Sequence, residues 1–182
     1  MAKTSSKKAA PSDDIKRAQM LDAAFYCFLQ YGFSKTSLDD VAKKAGVSRP
    51  AIYLKFKNKI DLFHALYADI AESGFAKAEE VLKQGVSKKE KLIALCEATI
   101  LTPWSKIAGQ PRAGEFYGLC EQLAPDESER IQKQKSKIAL SIFDDKETAE
   151  IFLMALEGFY DDLPSTNTLR KRIHFLIDKF LG

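Results

Sequence analysis

The sequence predicts an all-α protein, with an N-terminal domain of three helices followed by a larger helical C-terminal domain. Apolar residues recur at steps of three and four along nearly the whole chain, and no segment shows the alternation of a half-buried strand. Capping residues, glycines and prolines divide this pattern into separate helices. The predicted organisation is a disordered basic arm over residues 1–12, an N-terminal domain over 13–58 and a C-terminal domain over 59–182.

The composition is that of an ordinary globular protein, with 46% hydrophobic and 29% charged residues. No apolar stretch is long enough for a membrane span, and residues 1–14 contain no apolar run of a secretory signal, so no membrane partner is expected. The three cysteines lack the close spacing of a zinc site or a disulfide framework. We therefore predict a cytoplasmic protein without a metal or other cofactor.

Charge is distributed unevenly along the chain. Residues 1–60 contain twelve basic and five acidic residues, whereas residues 61–182 contain sixteen basic and twenty acidic residues. A basic front part on an acidic body indicates that the front part faces a polyanion, although a basic tail with solvated helix faces would give the same count.

Start and stop signals define the first four helices. The first is predicted over Asp13–Tyr31, with Gly32 as a left-handed cap. Hydroxyl groups of Thr36 and Ser37 precede a short second helix over Leu38–Ala45, which ends at Gly46. The other predicted caps are Ser48 for a short third helix and Asn58 for a longer fourth helix that connects the two domains.

The remaining sequence predicts five more helices with less distinct ends. They are expected over Lys88–Leu101, ended by a break at Pro103-Trp104, and over Arg112–Leu123, Asp126–Phe143, Lys146–Asp162 and Thr168–Leu181. Gly109, Gln110 and Pro111 would close a short irregular segment after that break.

Two short helices joined by a tight glycine-containing turn, with a longer helix before them, predict a helix-turn-helix. The turn is Gly46-Val47-Ser48, and the third helix is the candidate reader of double-stranded DNA. Its N-terminal residues would meet base edges in the major groove. There Arg49 can pair with guanine, while Pro50 and Ala51 can offer only apolar contact to a thymine methyl group.

The run from Thr36 to Leu66 resembles the DNA-binding domain of the TetR/AcrR family of bacterial regulators. The matching residues are Thr36, Ser37, Val41, Ala42, Ala45, Gly46, Val47, Ser48, Ile52, Tyr53, Phe56, Lys59 and Leu62, together with Tyr31-Gly32-Phe33. The resemblance implies a ligand-responsive, homodimeric DNA-binding regulator, with repression of a palindromic operator as the expected mode. It also implies that Tyr53 and Lys59 contact DNA phosphate.

Further groups near the predicted reader are candidates for backbone contact. Thr36 and Ser37 can cap the second helix and bind a phosphate, Ser48 caps the reader, and Lys55 can add a cation. A lysine at position 59 opposes the dipole at a helix start, which suits a phosphate docked there. Core packing is the alternative for Tyr53. The chain departs from the commonest family pattern at Pro50, a variant that the family also uses, and at Leu54, for which the resemblance carries over no DNA contact.

The C-terminal domain offers a predicted dimer face and a predicted effector pocket, with core packing as the alternative for both. In the family the last two helices pair with their copies, and the apolar candidates here are Phe152, Leu156, Phe159, Ile173, Leu176 and Phe180. The pocket candidates are Cys96, Trp104, Phe116, Tyr117, Cys120 and Met154, with the segment between Pro103 and Pro111 as its mouth. Their apolar character favours a hydrophobic or aromatic small-molecule effector.

Other classes of function fit the sequence less well. An all-α enzyme would have only His64 and His174 as imidazole bases, and no nucleophile motif, phosphate loop or metal-binding spacing is present. An adaptor that uses the helix-turn-helix for protein contacts, or a regulator without a small-molecule effector, is the alternative within the same fold.

Overall fold

The computed structural model describes residues 12–182, over which the chain forms ten α-helices and one π-helical turn and no β-strand. In chain order the helices are α1 (Asp13–Tyr31), α2 (Leu38–Ala45), α3 (Arg49–Lys55), α4 (Lys59–Leu82), α5 (Lys88–Cys96), α6 (Thr102–Ile107), α7 (Ala113–Leu123), α8 (Pro125–Ile142), α9 (Lys146–Glu157) and α10 (Thr166–Leu181). The predicted arm lies outside the described residues except for Ser12, which caps α1.

Side-chain caps fix the starts of the first four helices; those by Ser37, Ser48 and Asn58 were predicted, whereas that by Ser12 was not. Ser12, Ser37, Ser48 and Asn58 each accept a hydrogen bond from the backbone N–H three residues later. At α2 the carboxylate of Asp40 also accepts from the Ser37 N–H, which completes a capping box. Each of these bonds satisfies an amide that has no partner inside its helix.

Gly32 and Gly46, which end α1 and α2, both have positive φ angles. Gly46 lies in the left-handed region, with φ 67° and ψ 27°, and its N–H donates to the carbonyls of Ala42 and Lys43. Gly32 was expected to be a left-handed cap, but its ψ of 154° is extended although its φ is 90°. This extended ψ turns the chain away from α1 toward the start of α2.

One apolar core contains α1, α2, α3 and the first half of α4. Its largest fully buried side chains include Met20, Leu21, Phe28, Ile52 and Phe63. Helix α7 contributes to the same core, because the ring centroid of Phe116 lies 5.2 Å from that of Phe25 and 5.6 Å from that of Phe63. The N-terminal helices are therefore packed directly on a helix of the C-terminal half.

A second core lies between the second half of α4 and helices α5, α6, α8, α9 and α10. Phe152, Leu156 and Ile173, three of the residues predicted to face a second copy, are fully or almost fully buried inside this core. That prediction is wrong for these three, because an apolar stripe faces the core of its own chain first. Phe159, Leu176 and Phe180 are half-buried at its edge.

The predicted helix break at Pro103-Trp104 is also wrong. The chain stays helical from Lys88 to Ile107, through a π-helical turn over Glu97–Leu101 in which the Thr102 N–H donates to the Glu97 carbonyl. A proline ring collides with the carbonyl four residues before it in a regular α-helix. The wider π turn just before Pro103 relieves that collision. The predicted irregular pocket mouth is therefore a helix, α6.

Gly74 of α4 allows this π-helical turn to pack closely. A Cβ at position 74 would lie 2.8 Å from the carbonyl oxygen of Ala98 and 3.2 Å from the Cα of Thr99. The close approach of two backbones thus requires glycine at this point.

The last helices also differ slightly from their predicted limits: α9 ends at Glu157 rather than Asp162, and α10 begins at Thr166.

We expect Gly46→Ala to lower the free energy of unfolding by about 1–2 kcal/mol, because an alanine is strained at this φ although nothing lies within 4 Å of its Cβ. Urea unfolding followed by circular dichroism measures the change. Gly85→Ala is the matched control, since a Cβ there also meets open space and the glycine has no positive φ. Equal stabilities of the two variants would contradict the prediction.

Candidate nucleic-acid interface and ligand cavity

Helix α3 has one buried face and one exposed face. Ile52 and Phe56 lie in the first core, as predicted, whereas the Arg49 side chain is 71% exposed. Tyr53 and Leu54 are 46% and 83% exposed. Pro50 is exposed and Ala51 is half-buried. The predicted reader thus presents a cation, an aromatic ring and an unusually exposed leucine to the solvent.

Arg49 is held beside its neighbours on this surface. Its Nε lies 3.1 Å from Oδ1 of Asp39 in α2, and its guanidinium carbon lies 5.6 Å from the ring centroid of Tyr53. An exposed ion pair of this kind adds little to stability, since both charges remain solvated. Asp39 therefore positions the guanidinium without removing it from the surface.

Two of the predicted phosphate ligands differ in orientation. Ser37 is exposed, and its hydroxyl both caps α2 and donates to Asp40 at 2.6 Å. Thr36 is only 3% exposed, and its hydroxyl donates to the carbonyls of Gly32 and Cys27. The predictions that Thr36 caps α2 and reaches a phosphate are wrong, because its side chain bonds back to the end of α1.

The two predicted lysines are both engaged within the chain. Lys55 pairs with Asp13 at the start of α1. The Lys59 ammonium donates to the carbonyls of Phe33 and Ser34, and it lies 4.4 Å from the ring centroid of Phe33. Partial burial lowers the pKa of Lys59. Two carbonyl bonds leave one of its three N–H groups for another acceptor.

The sequence of this region matches a known family. The family model described as "Bacterial regulatory proteins, tetR family" matches residues 20–66, which include the whole of α2 and α3. The N-terminal domain is therefore similar in sequence to that of TetR-family regulators. The regulator AcrR of Shigella flexneri is 46% identical over 63 residues, which are 35% of this chain and 29% of that protein. The fatty acid metabolism regulator protein of Bacillus subtilis is 35% identical over 77 residues, 42% of this chain and 40% of that protein.

Solved structures extend the likeness in fold to almost the whole chain. The fatty acid degradation regulator FadR from Bacillus halodurans has a TM-score of 0.68 at 21% identity and is matched over 94% of this chain and 96% of its own. The TetR-like regulator LfrR from Mycobacterium smegmatis, solved with proflavine, has a TM-score of 0.61 at 16% identity, over 90% and 94% of the two chains. The chain therefore has the TetR-family fold, although its sequence spans less than half of the two curated relatives.

A cavity of about 390 Å³ lies between α4, α6, α7, α8 and α9. Four of the six residues predicted for an effector pocket line it: Trp104, Phe116, Tyr117 and Cys120. Cys96 is buried in the second core instead, and Met154 is 70% exposed on the outer side of α9. Those two predictions are wrong, because no residue of α5 lines the cavity and α9 turns Leu153, Leu156 and Glu157 toward it.

Aromatic side chains form one wall of the cavity. Tyr117 and Tyr160 stack at 5.6 Å between centroids, and Trp104 lies 5.3 Å from Tyr160. The Trp104 Nε1–H donates to the carbonyl of Pro164 at 2.8 Å, which fixes the indole ring. Burial raises the pKa of Tyr117 and of Cys120 to about 12. Both groups are therefore neutral near pH 7.

Sequence reasoning missed the contribution of α8, which reads as a polar helix. Ser128, Ile131, Gln132 and Lys135 recur at steps of three and four and face the cavity together. That spacing is visible in the sequence, but polar residues on a helix ordinarily face water. Only the position of α8 over α4 and α9 shows that this polar face is an inner one.

Helix α7 also contacts the junction of α1 and α2. Glu115 accepts a hydrogen bond from the Phe33 N–H at 2.9 Å, and the Arg112 N–H donates to the Leu29 carbonyl at 3.1 Å. The next turn of α7 lines the cavity through Phe116, Tyr117 and Cys120. One short helix thus connects the cavity with the base of the helix-turn-helix.

Over residues 12–182, no helix is long and apolar enough to cross a bilayer.

We expect Phe116→Ala to lower the free energy of unfolding by about 3–5 kcal/mol, because it leaves a void between Phe25 and Phe63. Thermal and urea unfolding measure the loss. Tyr117→Ala is the matched control, since Tyr117 is the next residue along α7, is 41% exposed and borders the cavity instead of the first core. A loss for Phe116→Ala no larger than that for Tyr117→Ala would show that α7 does not stabilise the N-terminal helices.

Proposed function

We propose that this chain is a homodimeric DNA-binding transcription regulator, released from a palindromic operator by a small-molecule effector. The observation that carries the proposal is the exposed face of α3 within residues 20–66, the segment matched by the TetR-family model. The relatives matched over this segment are named as regulators. The DNA-binding domain would comprise residues 13–58, and residues 59–182 would bind the effector and dimerise.

In this proposal α3 enters the major groove with its N-terminus toward the bases. Arg49 pairs with a guanine, and Pro50 and Ala51 contact a thymine methyl group. Tyr53 and Lys59 donate to phosphate oxygens, with Ser37, Ser48 and Lys55 as further contacts. The excess of basic over acidic residues in positions 1–60 supports attraction to DNA. DNA as the partner places the protein in the cytoplasm.

The proposed dimer face differs from the one expected from the sequence. Ile151, Met154 and Phe175 are 50%, 70% and 63% exposed, which is unusual for large apolar side chains on α9 and α10. Phe159 and Leu176 are half-buried and lie in the groove beside Phe175. Burying such a surface against a second copy removes apolar area from water, and two-fold symmetry doubles the number of base contacts.

Release from DNA requires an effector that binds one state of the dimer more tightly than the other. The cavity is bounded by α4, which begins beside α3, and by α7, which bonds to the junction of α1 and α2. A ligand that displaces either helix would change the distance between the two readers of a dimer. The aromatic wall supports an effector with an apolar body.

We expect Arg49→Ala to weaken binding to an operator selected from a random duplex library by about 1–3 kcal/mol, with little change on non-specific duplex. Fluorescence anisotropy at fixed salt measures both affinities. Lys83→Ala, which removes an exposed cation at the distant end of α4, is the control. Equal losses on selected and non-specific DNA would contradict base reading by Arg49.

The double variant Met154→Asp, Phe175→Asp should be monomeric where the unaltered chain is dimeric, because four carboxylates would be buried without partners across the proposed interface. Size-exclusion chromatography with light scattering at micromolar concentration measures the mass. Ile15→Asp, which alters an exposed apolar residue of α1, should stay dimeric. A dimeric double variant, or a monomeric unaltered chain, would refute this interface.

A further inference from the structure

Lys135 is an unusual residue for the lining of an aromatic cavity. It lies on the inner face of α8 together with Ser128 and Ile131, and it is half-buried. Among residues 12–182 its ammonium forms no ion pair and no hydrogen bond, and the carboxylate of Glu157 acts on it only from a longer distance. Burial lowers the pKa of Lys135, since an ammonium group loses hydration there. A desolvated cation without a partner is costly, so the site favours an anion that can pair with it.

The neighbouring acidic groups do not neutralise this ammonium. Glu157 lines the cavity and its charge raises the pKa of Lys135, but its carboxylate accepts a hydrogen bond from Gln132 at 3.0 Å and forms no ion pair with the ammonium. Glu129, which also lines the cavity, pairs with Lys133. Glu121 is exposed on α7. The Cys96 thiol lies near Lys135, but burial raises its pKa to about 12, so it carries no charge near pH 7. All three glutamates are exposed residues of the cavity lining, whereas Lys135 in the same lining is half-buried.

We propose that the cavity binds an organic carboxylate with an apolar body, whose carboxylate pairs with Lys135 and whose body lies against Trp104, Tyr117 and Tyr160. The inference rests on the proposed function, because it names the chemical class of the effector at that same site. The three rings contact one another at centroid distances of 5.3–6.0 Å, so they form a closed wall rather than an open cage around a cation. An acidic group on the ligand pairs with the half-buried amine, and an alkyl or aryl body fills the apolar space.

The chain contains its own reporter of binding. Trp104 is its single tryptophan and lines the cavity, so quenching or a spectral shift of its fluorescence reports a ligand there. We would titrate the full chain with decanoate, decan-1-ol and decylammonium, since these probes share one body and differ in the charge of the head. The two ions are kept below their micellar concentrations and the alcohol below its solubility limit. Decanoate should bind about 10- to 100-fold more tightly than either of the others, as expected for a hydrogen bond between charged groups.

Lys135→Met tests the role of the amine, because methionine keeps an unbranched apolar side chain and removes the charge. This variant should lose about 10- to 100-fold in decanoate affinity and bind decan-1-ol at least as tightly as before. Its melting temperature should not fall, since an unpaired buried charge is removed. Lys133→Met is the matched control on the outer side of the same helix and should bind decanoate normally.

Three results would overturn the inference: equal affinities for decanoate and decan-1-ol, tightest binding of decylammonium, or unchanged decanoate affinity in a folded Lys135→Met. DNA binding is measured on the same preparations without any probe. This measurement distinguishes a failure of the carboxylate inference from a failure of the regulator proposal. A chain that binds its selected DNA but prefers decylammonium would still be a regulator, with a cationic effector. Binding of decanoate without binding of any duplex would refute the regulator proposal but would still support the carboxylate site.

Discussion

The exposed chemistry of α3 depends on how the inner face of that helix is anchored. A seven-residue helix is unstable by itself in water, because its few hydrogen bonds cannot offset the cost of nucleation. Ile52 and Phe56 supply the missing stability by packing into the first core, and Ser48 caps the first turn. The same contacts determine the rotation of α3 about its axis. Arg49, Tyr53 and Leu54 are exposed because the opposite side of the helix is fixed.

The helices of the C-terminal half do not pack closely everywhere, because a cavity separates some of them. Gly74 brings α4 against the π-helical turn, so this pair of segments packs with the backbones in contact. Elsewhere the bulky rings of Trp104, Tyr117 and Tyr160 pack on one another and hold the neighbouring helices apart. Close packing on one side and ring contacts on the other leave space beside α8. The cavity is therefore a consequence of which residues are smallest and largest at these crossings.

The sequence predicted local structure better than it predicted the partners of side chains. Helices α1 to α4 were placed correctly because their signals are local: a cap, a glycine and an apolar period. Thr36 was misjudged because a hydroxyl beside a helix start can turn either outward or back to the preceding helix. Pro103 was wrongly predicted to break the helix, because the helix continues through it by means of a π-helical turn that no short sequence motif indicates.

The outer surfaces were the hardest to assign from sequence. Phe152 and Ile173 are as apolar as Ile151 and Phe175, and only the three-dimensional arrangement separates core from surface. Periodicity gives the angle between residues on a helix, but it does not say which of two apolar stripes faces its own chain. Lys135 was not singled out from the sequence, because charged residues on a helix ordinarily face water, yet it lines the cavity.

The position of Phe116 has a consequence for how the chain can be divided. A fragment ending after α4 would contain every residue matched by the family model, yet it would lack Phe116, Ala113 and Ile107 from its core. The rings of Phe25 and Phe63 would then face solvent on one side of the fragment. Such a newly exposed apolar patch promotes self-association. The unit of sequence similarity is thus smaller than the smallest unit that could fold autonomously and remain dispersed.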